Sequence, residues 1–182
     1  MKLPSTNFLR SFYYFFSLFF FTSIALCFVS CGYHMGSMMH PQVSSISIAE
    51  IRNDTKEPNL SAIARNQIAA QFQLDNSLKL TTKEKADCIL YCRIVNAKQT
   101  TSRYTPSTED DSYEPAEFSY TVSAEFEVVV PGHSKPLIPK RSVSGSSKFY
   151  YNGDPESGKR GGMRQACFEL SKQIVEYTTE AW

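Results

Sequence analysis

The stretch EFSYTVSAEFEVVV at residues 117–130 alternates without a break. Phe118, Tyr120, Val122, Ala124, Phe126, Val128 and Val130 fall on one side. Ser119, Thr121, Ser123, Glu125 and Glu127 fall on the other. A period of two, apolar on one side and polar on the other, marks a long antiparallel strand with one wet face. The buried face of such a strand needs a second layer to cover it.

The flanking sequence supplies both partner strands and cover. PGHSKPLIPK (131–140) turns the chain, and residues 143–151 return as a partner strand weakened by Gly145 and its serines. Before the long strand, ADCILYCRIVNAKQ (86–99) puts Cys88, Leu90, Cys92 and Ile94 on one face. Residues 43–51 alternate at Ile46 and Ile48, which predicts a first strand. RNDTKEPN is then a polar connection, and DNSLKL starts a short strand after a turn. Leu60, Ile63, Ala64, Ile68 and Phe72 recur at helical spacing, which predicts an amphipathic helix over 59–74 with Asn59 as its N-cap. A second helix is predicted over 162–181, with Met163, Ala166, Cys167, Leu170, Ile174, Tyr177, Thr178 and Ala181 on its stripe. Residues 100–115, with the acidic run Glu109, Asp110 and Asp111, read as a polar loop. The expected fold is α+β: a two-layer sandwich in which a mostly antiparallel sheet of about four strands is covered by two amphipathic helices. There is no internal repeat, and 43–182 reads as one domain.

The first 30 residues carry only Lys2 and Arg10 as charges, followed by a Phe-rich apolar run over 11–29. A positive start, an apolar middle and small residues before a cut point make an export signal. The run is nearly long enough to span a bilayer, so a retained anchor is the competing reading. Val29-Ser30-Cys31-Gly32 favours the signal, because it looks like a bacterial lipobox with Cys31 as the lipid attachment point. Phe28 stands where that motif usually has leucine. Residues 1–30 are then a cleaved lipoprotein signal peptide, and 31–42, small, polar and Met-rich, form a flexible tether. Loss of Lys2 and Arg10 takes the net charge from +1 to −1. Such neutrality argues against a nucleic-acid partner, which is usually met with a basic excess.

Few residues offer chemistry. Cys88 and Cys92, four apart on a strand, lie about 13 Å from each other, too far to bridge. Either could meet Cys167, but three small buried hydrophobes is the simpler reading. GDPESGKR (153–160) has the spacing of a phosphate-binding loop. Arg160 stands where the Mg²⁺-binding hydroxyl belongs, and Pro155 removes an N–H from a loop that must present them. A turn leading into the last helix, with Lys159, Arg160 and Arg164 as a small basic cluster, fits better. His34, Met35, Met38, Met39 and His40 are ligand types that suit Cu(I), without a scaffold to fix them. His133 has no acid beside it and reads as a turn residue rather than a general base. The run 109–111 lacks the spaced ligands of a calcium loop. No catalytic residues, metal site or cofactor are expected; the residues describe a tethered, non-enzymatic domain.

An ordered series of segments resembles one family, the lipopolysaccharide-assembly lipoproteins called LptE. CGYHMG (31–36) is similar to the family's start after the lipid cysteine. SAIARNQIAAQFQLDNSLKL (61–80) is similar to its first helix and following turn, and PAEFSYTVSAEFEVVVPG (115–132) to its long strand and hairpin. YYNGDP (150–155) and the final QIVEYTTEAW (173–182) resemble its close. The resemblance implies a lipid-anchored outer-membrane protein facing the periplasm. It would plug and stabilise an LptD-like β-barrel partner, and help lipopolysaccharide into the outer leaflet. It implies that a basic residue between the last strand and last helix contacts lipopolysaccharide phosphates; Lys159 and Arg160 occupy that segment here. A second basic position of the family falls near residues 110–113, which are acidic or neutral in this chain. The competing expectation, from another class, is a lipid-anchored periplasmic adaptor or activator of a different envelope assembly, such as a cell-wall synthase.

Overall fold

The computed structural model describes residues 42–106, 113–150 and 155–180. Eight elements follow in order: β1 (Ser45–Ile48), β2 (Arg52–Asn53), α1 (Leu60–Asp75), β3 (Lys79–Leu80), β4 (Cys88–Pro106), β5 (Tyr113–Val129), β6 (Ile138–Tyr150) and α2 (Pro155–Thr179). They form one six-stranded sheet ordered β3-β1-β4-β5-β6, with the two-residue β2 also paired to β4. The α+β two-layer architecture is as expected, with more strands than the four anticipated. The short strands β1 and β3 fall in segments expected to be strand and β2 is the addition; β1 pairs β3 and β4, and β2 pairs β4, all in parallel. A two-residue strand such as β2 holds too few residues to show an alternation, so periodicity could not separate it from loop.

The antiparallel core is β4-β5-β6. On β5, Tyr120, Val122, Ala124, Phe126 and Val128 are fully buried, as their alternation predicts. Both helices lie over this face. From α1, Leu60, Ala64, Ile68 and Phe72 enter the core; from α2, Met163, Ala166, Cys167, Leu170, Ile174 and Val175 do so. Each large side chain so buried contributes about 1.5–3 kcal/mol of hydrophobic stabilisation. The three cysteines Cys88, Cys92 and Cys167 are free and buried among these side chains.

Five expectations need correcting. Residues 100–106 and 113–115 are strand, not loop: β4 and β5 remain paired out to Pro106 and Tyr113. Register shifts after Ile94 and Thr101 and a largely exposed stretch beyond Asn96 remove the apolar alternation that would have shown it. β6 starts at Ile138 rather than 143, and β2 lies within the segment read as a connection. Asn59 does stand at the N-cap of α1, but it makes no side-chain cap bond. Its backbone is left-handed (φ 60°), which Asn tolerates, and its carbonyl accepts from the Ile63 N–H at 3.0 Å.

The fifth correction concerns α2, which starts at Pro155, seven residues before the expected Gly162. Pro155 opens the helix at a position where the missing N–H costs no helical bond. Gly158 lies in the segment expected to be a turn and Gly162 at the expected helix start, yet the helix runs through Gly158, Gly161 and Gly162. Phe149 of β6 explains two of the three. A Cβ on Gly162 would lie 2.5 Å from the Phe149 ring and one on Gly158 3.1 Å from it. The glycines i and i+4 therefore form a notch that receives Phe149, which in turn stacks on Phe118 at 5.5 Å. Ring burial offsets the poor helix propensity of glycine, about 1 kcal/mol each.

The signal peptide, Cys31 and all of the tether but Gln42 lie outside the described residues, as do the tether's His and Met residues, the acidic run 109–111 and Ala181. Among the described residues no helix is long and apolar enough to cross a membrane.

Candidate functional site

Two surfaces bear on function: the sheet face that no helix covers, and the start of α2 where Lys159 and Arg160 lie. Residues directly opposite in adjacent strands share a face, so the register fixes what the open face carries. Ser123 of β5 lies between Asn96 of β4 and Ser144 of β6. Thr121 lies between Lys98 and Ser146, and Ser119 between Thr100 and Lys148. These side chains are exposed or half-buried. The middle of the face is thus a flat field of hydroxyl, amide and lysine groups three strands wide.

Charge networks stand at either end of this field. At one end the Glu125 carboxylate accepts from Arg93 at 2.8 Å and lies 2.6 Å from the Lys140 ammonium, while Arg93 also meets Asp54 at 3.4 Å. The bonds from Lys140 and Arg93 hold Glu125 below the usual carboxylate range. A groove of about 440 Å³ opens here, lined among others by Glu50, Arg52, Tyr91, Arg93 and Lys140. Its charges balance, so it is no site for an isolated ion. At the other end Glu117, only 3% exposed, pairs with Lys148 at 2.9 Å. The Lys148 hydrogen bond is the main cause of its lowered pKa.

At the start of α2 the two candidate phosphate contacts part company. Successive helical residues are turned about 100° from one another, so Lys159 and Arg160 face different ways. Arg160 is exposed on the helix surface, its Nε donating to the Glu156 carbonyl at 3.4 Å. The Lys159 Nζ lies 2.9 Å from Glu57 Oε1, both side chains about three-quarters buried. Glu57 stands in the loop between β2 and α1, which Asn53 organises. The Asn53 amide donates to the Glu57 carbonyl at 2.9 Å, and its Oδ1 accepts from the Thr55 N–H and hydroxyl at 3.0 and 2.7 Å. The Tyr120 hydroxyl is fully buried with no hydrogen-bond partner among the described residues. Burial, then the neighbouring Glu57 and Cys167, push Tyr120 up to about 12.

Sequence reasoning named Lys159 and missed Glu57 and the Tyr120 hydroxyl. A pair separated by about a hundred positions leaves no local signal. The phosphate-loop spacing is likewise accounted for: Gly158 and Lys159 are helical, and the glycine serves the Phe149 notch. Burial pushes the thiols of Cys88, Cys92 and Cys167 up to about 12, so they stay protonated at neutral pH and supply no nucleophile. His133 is an exposed turn residue whose N–H donates to the Val130 carbonyl at 3.1 Å. No group of three metal-ligating side chains occurs among the described residues.

The fold is a small mixed-sheet α+β sandwich, open rather than barrel-shaped, and it recurs in solved structures of distant sequence. Protein XCC0632 from Xanthomonas campestris matches 76% of this chain and 85% of its own, with a TM-score of 0.54 and 8% identity. The hypothetical protein CT253 from Chlamydia trachomatis matches 75% of this chain and 96% of its own, with a TM-score of 0.52 and 12% identity. The rare lipoprotein B from Shewanella oneidensis aligns over 72% and 92%, at a TM-score of 0.39 and 11% identity, too low to bear on this chain. At such identities the first two show a shared fold and nothing of function. No protein-family model matches the chain, and no curated protein matches it either.

Proposed function

We propose that this chain is an LptE-like outer-membrane lipoprotein, held by lipid on Cys31 and facing the periplasm. It plugs and stabilises an LptD-like β-barrel and assists lipopolysaccharide into the outer leaflet, without catalysis of its own. The observation that supports this most is the uncovered sheet face. A partner that covered it with apolar side chains would strand Asn96, Lys98, Thr121, Ser123, Ser144 and Ser146 without hydrogen bonds. The inner wall of a wide membrane barrel is polar and can satisfy them. Export and lipid attachment rest on the apolar run and Val29-Ser30-Cys31-Gly32, and the identity of the partner rests on the family resemblance.

Site-specific photo-crosslinking tests the surface. A photoreactive residue at Ser144 or Lys98 should capture a large barrel protein in cells, while one at exposed Asn66 of α1 serves as the comparison. Capture of a cell-wall synthase instead would favour the adaptor reading, and no capture from the sheet face would remove the support that this face gives.

A further inference from the structure

We infer that the free edge of β6, together with the flank of α2 beside it, is a strand-addition site for an extended, basic segment of a partner protein. This edge is a different surface from the open sheet face.

Among the described residues β6 is the one long edge of the sheet, with thirteen residues against two in β3 at the opposite end. An edge strand attracts other strands unless charge, proline or a bulge guards it. β6 is guarded at its ends. Pro139, Lys140, Arg141 and a register shift stand at one, and Lys148, paired with Glu117 at 2.9 Å, at the other. Between them Ser142 to Ser147 carry no charge, no proline and no register shift. In an antiparallel ladder alternate residues turn their N–H and C=O away from the neighbouring strand. The Ser144 carbonyl accepts from Gln173 Nε2 of α2 at 2.9 Å, which marks Ser144, and with it Ser142 and Ser146, as the outward set. Among the described residues that bond is the only one to reach the outward groups of these three serines, and all three are exposed.

The same bond fixes which flank of α2 borders the edge. Residues three, four and seven positions from Gln173 share its side, so Glu169, Glu176 and Glu180 line that flank. Glu169 is engaged by Gln165 at 3.1 Å and Lys172 at 3.4 Å. Glu176 and Glu180 are exposed and form no ion pair among the described residues. Arg141 sets one cation of this chain over the Tyr177 ring at 4.9 Å, at the guarded end only. An added strand would turn alternate side chains toward this flank and the others toward the serine row. Lysine or arginine on the first side and small polar residues on the second suit the two surfaces. A second copy suits them poorly. Pairing β6 with β6 across a two-fold axis would bring two such flanks together, glutamate against glutamate.

The test uses the lipidated full-length protein in detergent and fluorescent peptides of about eight residues, enough to cover the unguarded stretch. One alternates threonine with lysine and the other threonine with glutamate, and binding is read by fluorescence anisotropy. The lysine peptide should bind about fivefold more tightly than the glutamate peptide, the scale of exposed ion pairs. Methylating one alternate set of its backbone nitrogens should weaken binding by about tenfold or more, and methylating the other set should not. Loss on the threonine set would read as antiparallel addition, and loss on the lysine set as parallel. Ser144→Pro removes an outward N–H without touching the ladder to β5 and should weaken binding to a similar degree. The methylated peptides make the same test on unaltered protein if that variant does not fold. Glu176→Lys should abolish the preference for the lysine peptide. No binding of the lysine peptide, equal binding of both peptides, or equal loss from both methylated sets overturns the inference. A dimer in sedimentation that Ser144→Pro dissociates would assign the edge to a second copy and overturn it as well.

Discussion

Asp87 shows how one side chain can fix where a domain begins. Its Oδ2 accepts from the backbone N–H and hydroxyl of both Ser44 and Ser45, at 2.8–3.0 Å. The Asp87 N–H returns a bond to the Ser45 hydroxyl at 3.1 Å. The start of β1, where the tether enters, is thereby stapled to the start of β4. These bonds, the Ser45 hydroxyl first, hold Asp87 below the usual carboxylate range. A depressed folded pKa gives stability that is present above the unfolded value of about 3.9 and lost as pH falls through the folded one. Asp87→Asn should therefore be less stable than wild type at neutral pH, with the difference shrinking below about pH 4. Urea titrations from pH 2 to pH 7 would read this, and a constant difference across the range would contradict it. Neither serine nor aspartate here marks itself in sequence, because the two ends are more than forty positions apart and only the fold joins them.

At the scale of elements, close approach between α2 and the sheet governs the packing. Gly145 of β6 is the point of contact: a Cβ there would fall 2.1 Å from the Ala166 carbonyl oxygen and 2.4 Å from the Leu170 nitrogen. Both are backbone atoms of the helix and cannot rotate away. Gly145→Ala should cost about 3 kcal/mol or more, the upper end of overpacking. Gly132, in the β5–β6 turn at φ +83° with open space around its Cα, should cost only about 1 kcal/mol on the same change. Chemical denaturation of both variants measures the contrast, and equal losses would show that helix–sheet contact is looser than the geometry requires. In sequence Gly145 looked like a weakness of the strand, Gly158 like part of a turn and Gly162 like the start of the last helix. All three serve long-range packing, which local propensity does not record. The elements that did show themselves have one apolar side: β5 throughout, β4 up to Ile94, the α1 stripe and the later turns of α2. The distal half of β4 was illegible for the opposite reason, since no helix covers it and nothing selects alternation there.

For the whole molecule, the two layers are unequal in what they present outward. One face of the sheet is sealed by helices, and the other offers hydroxyl, amide and paired charges over three strands. The corner where α2 begins adds the Lys159–Glu57 pair. Sequence located that corner through the family resemblance but not its occupied state, and it placed the wet face of β5 without the neighbours that make it a surface. The proposed role as a plug for a polar lumen would use this inequality: the sealed core keeps the domain folded, and the open face would meet the wall. The most direct test is affinity purification of the tagged full-length chain from detergent-solubilised membranes. Recovery of a large β-barrel protein in stoichiometric amount, undiminished by washing in high salt, is the predicted result. Recovery of a cell-wall synthase with no barrel would contradict it.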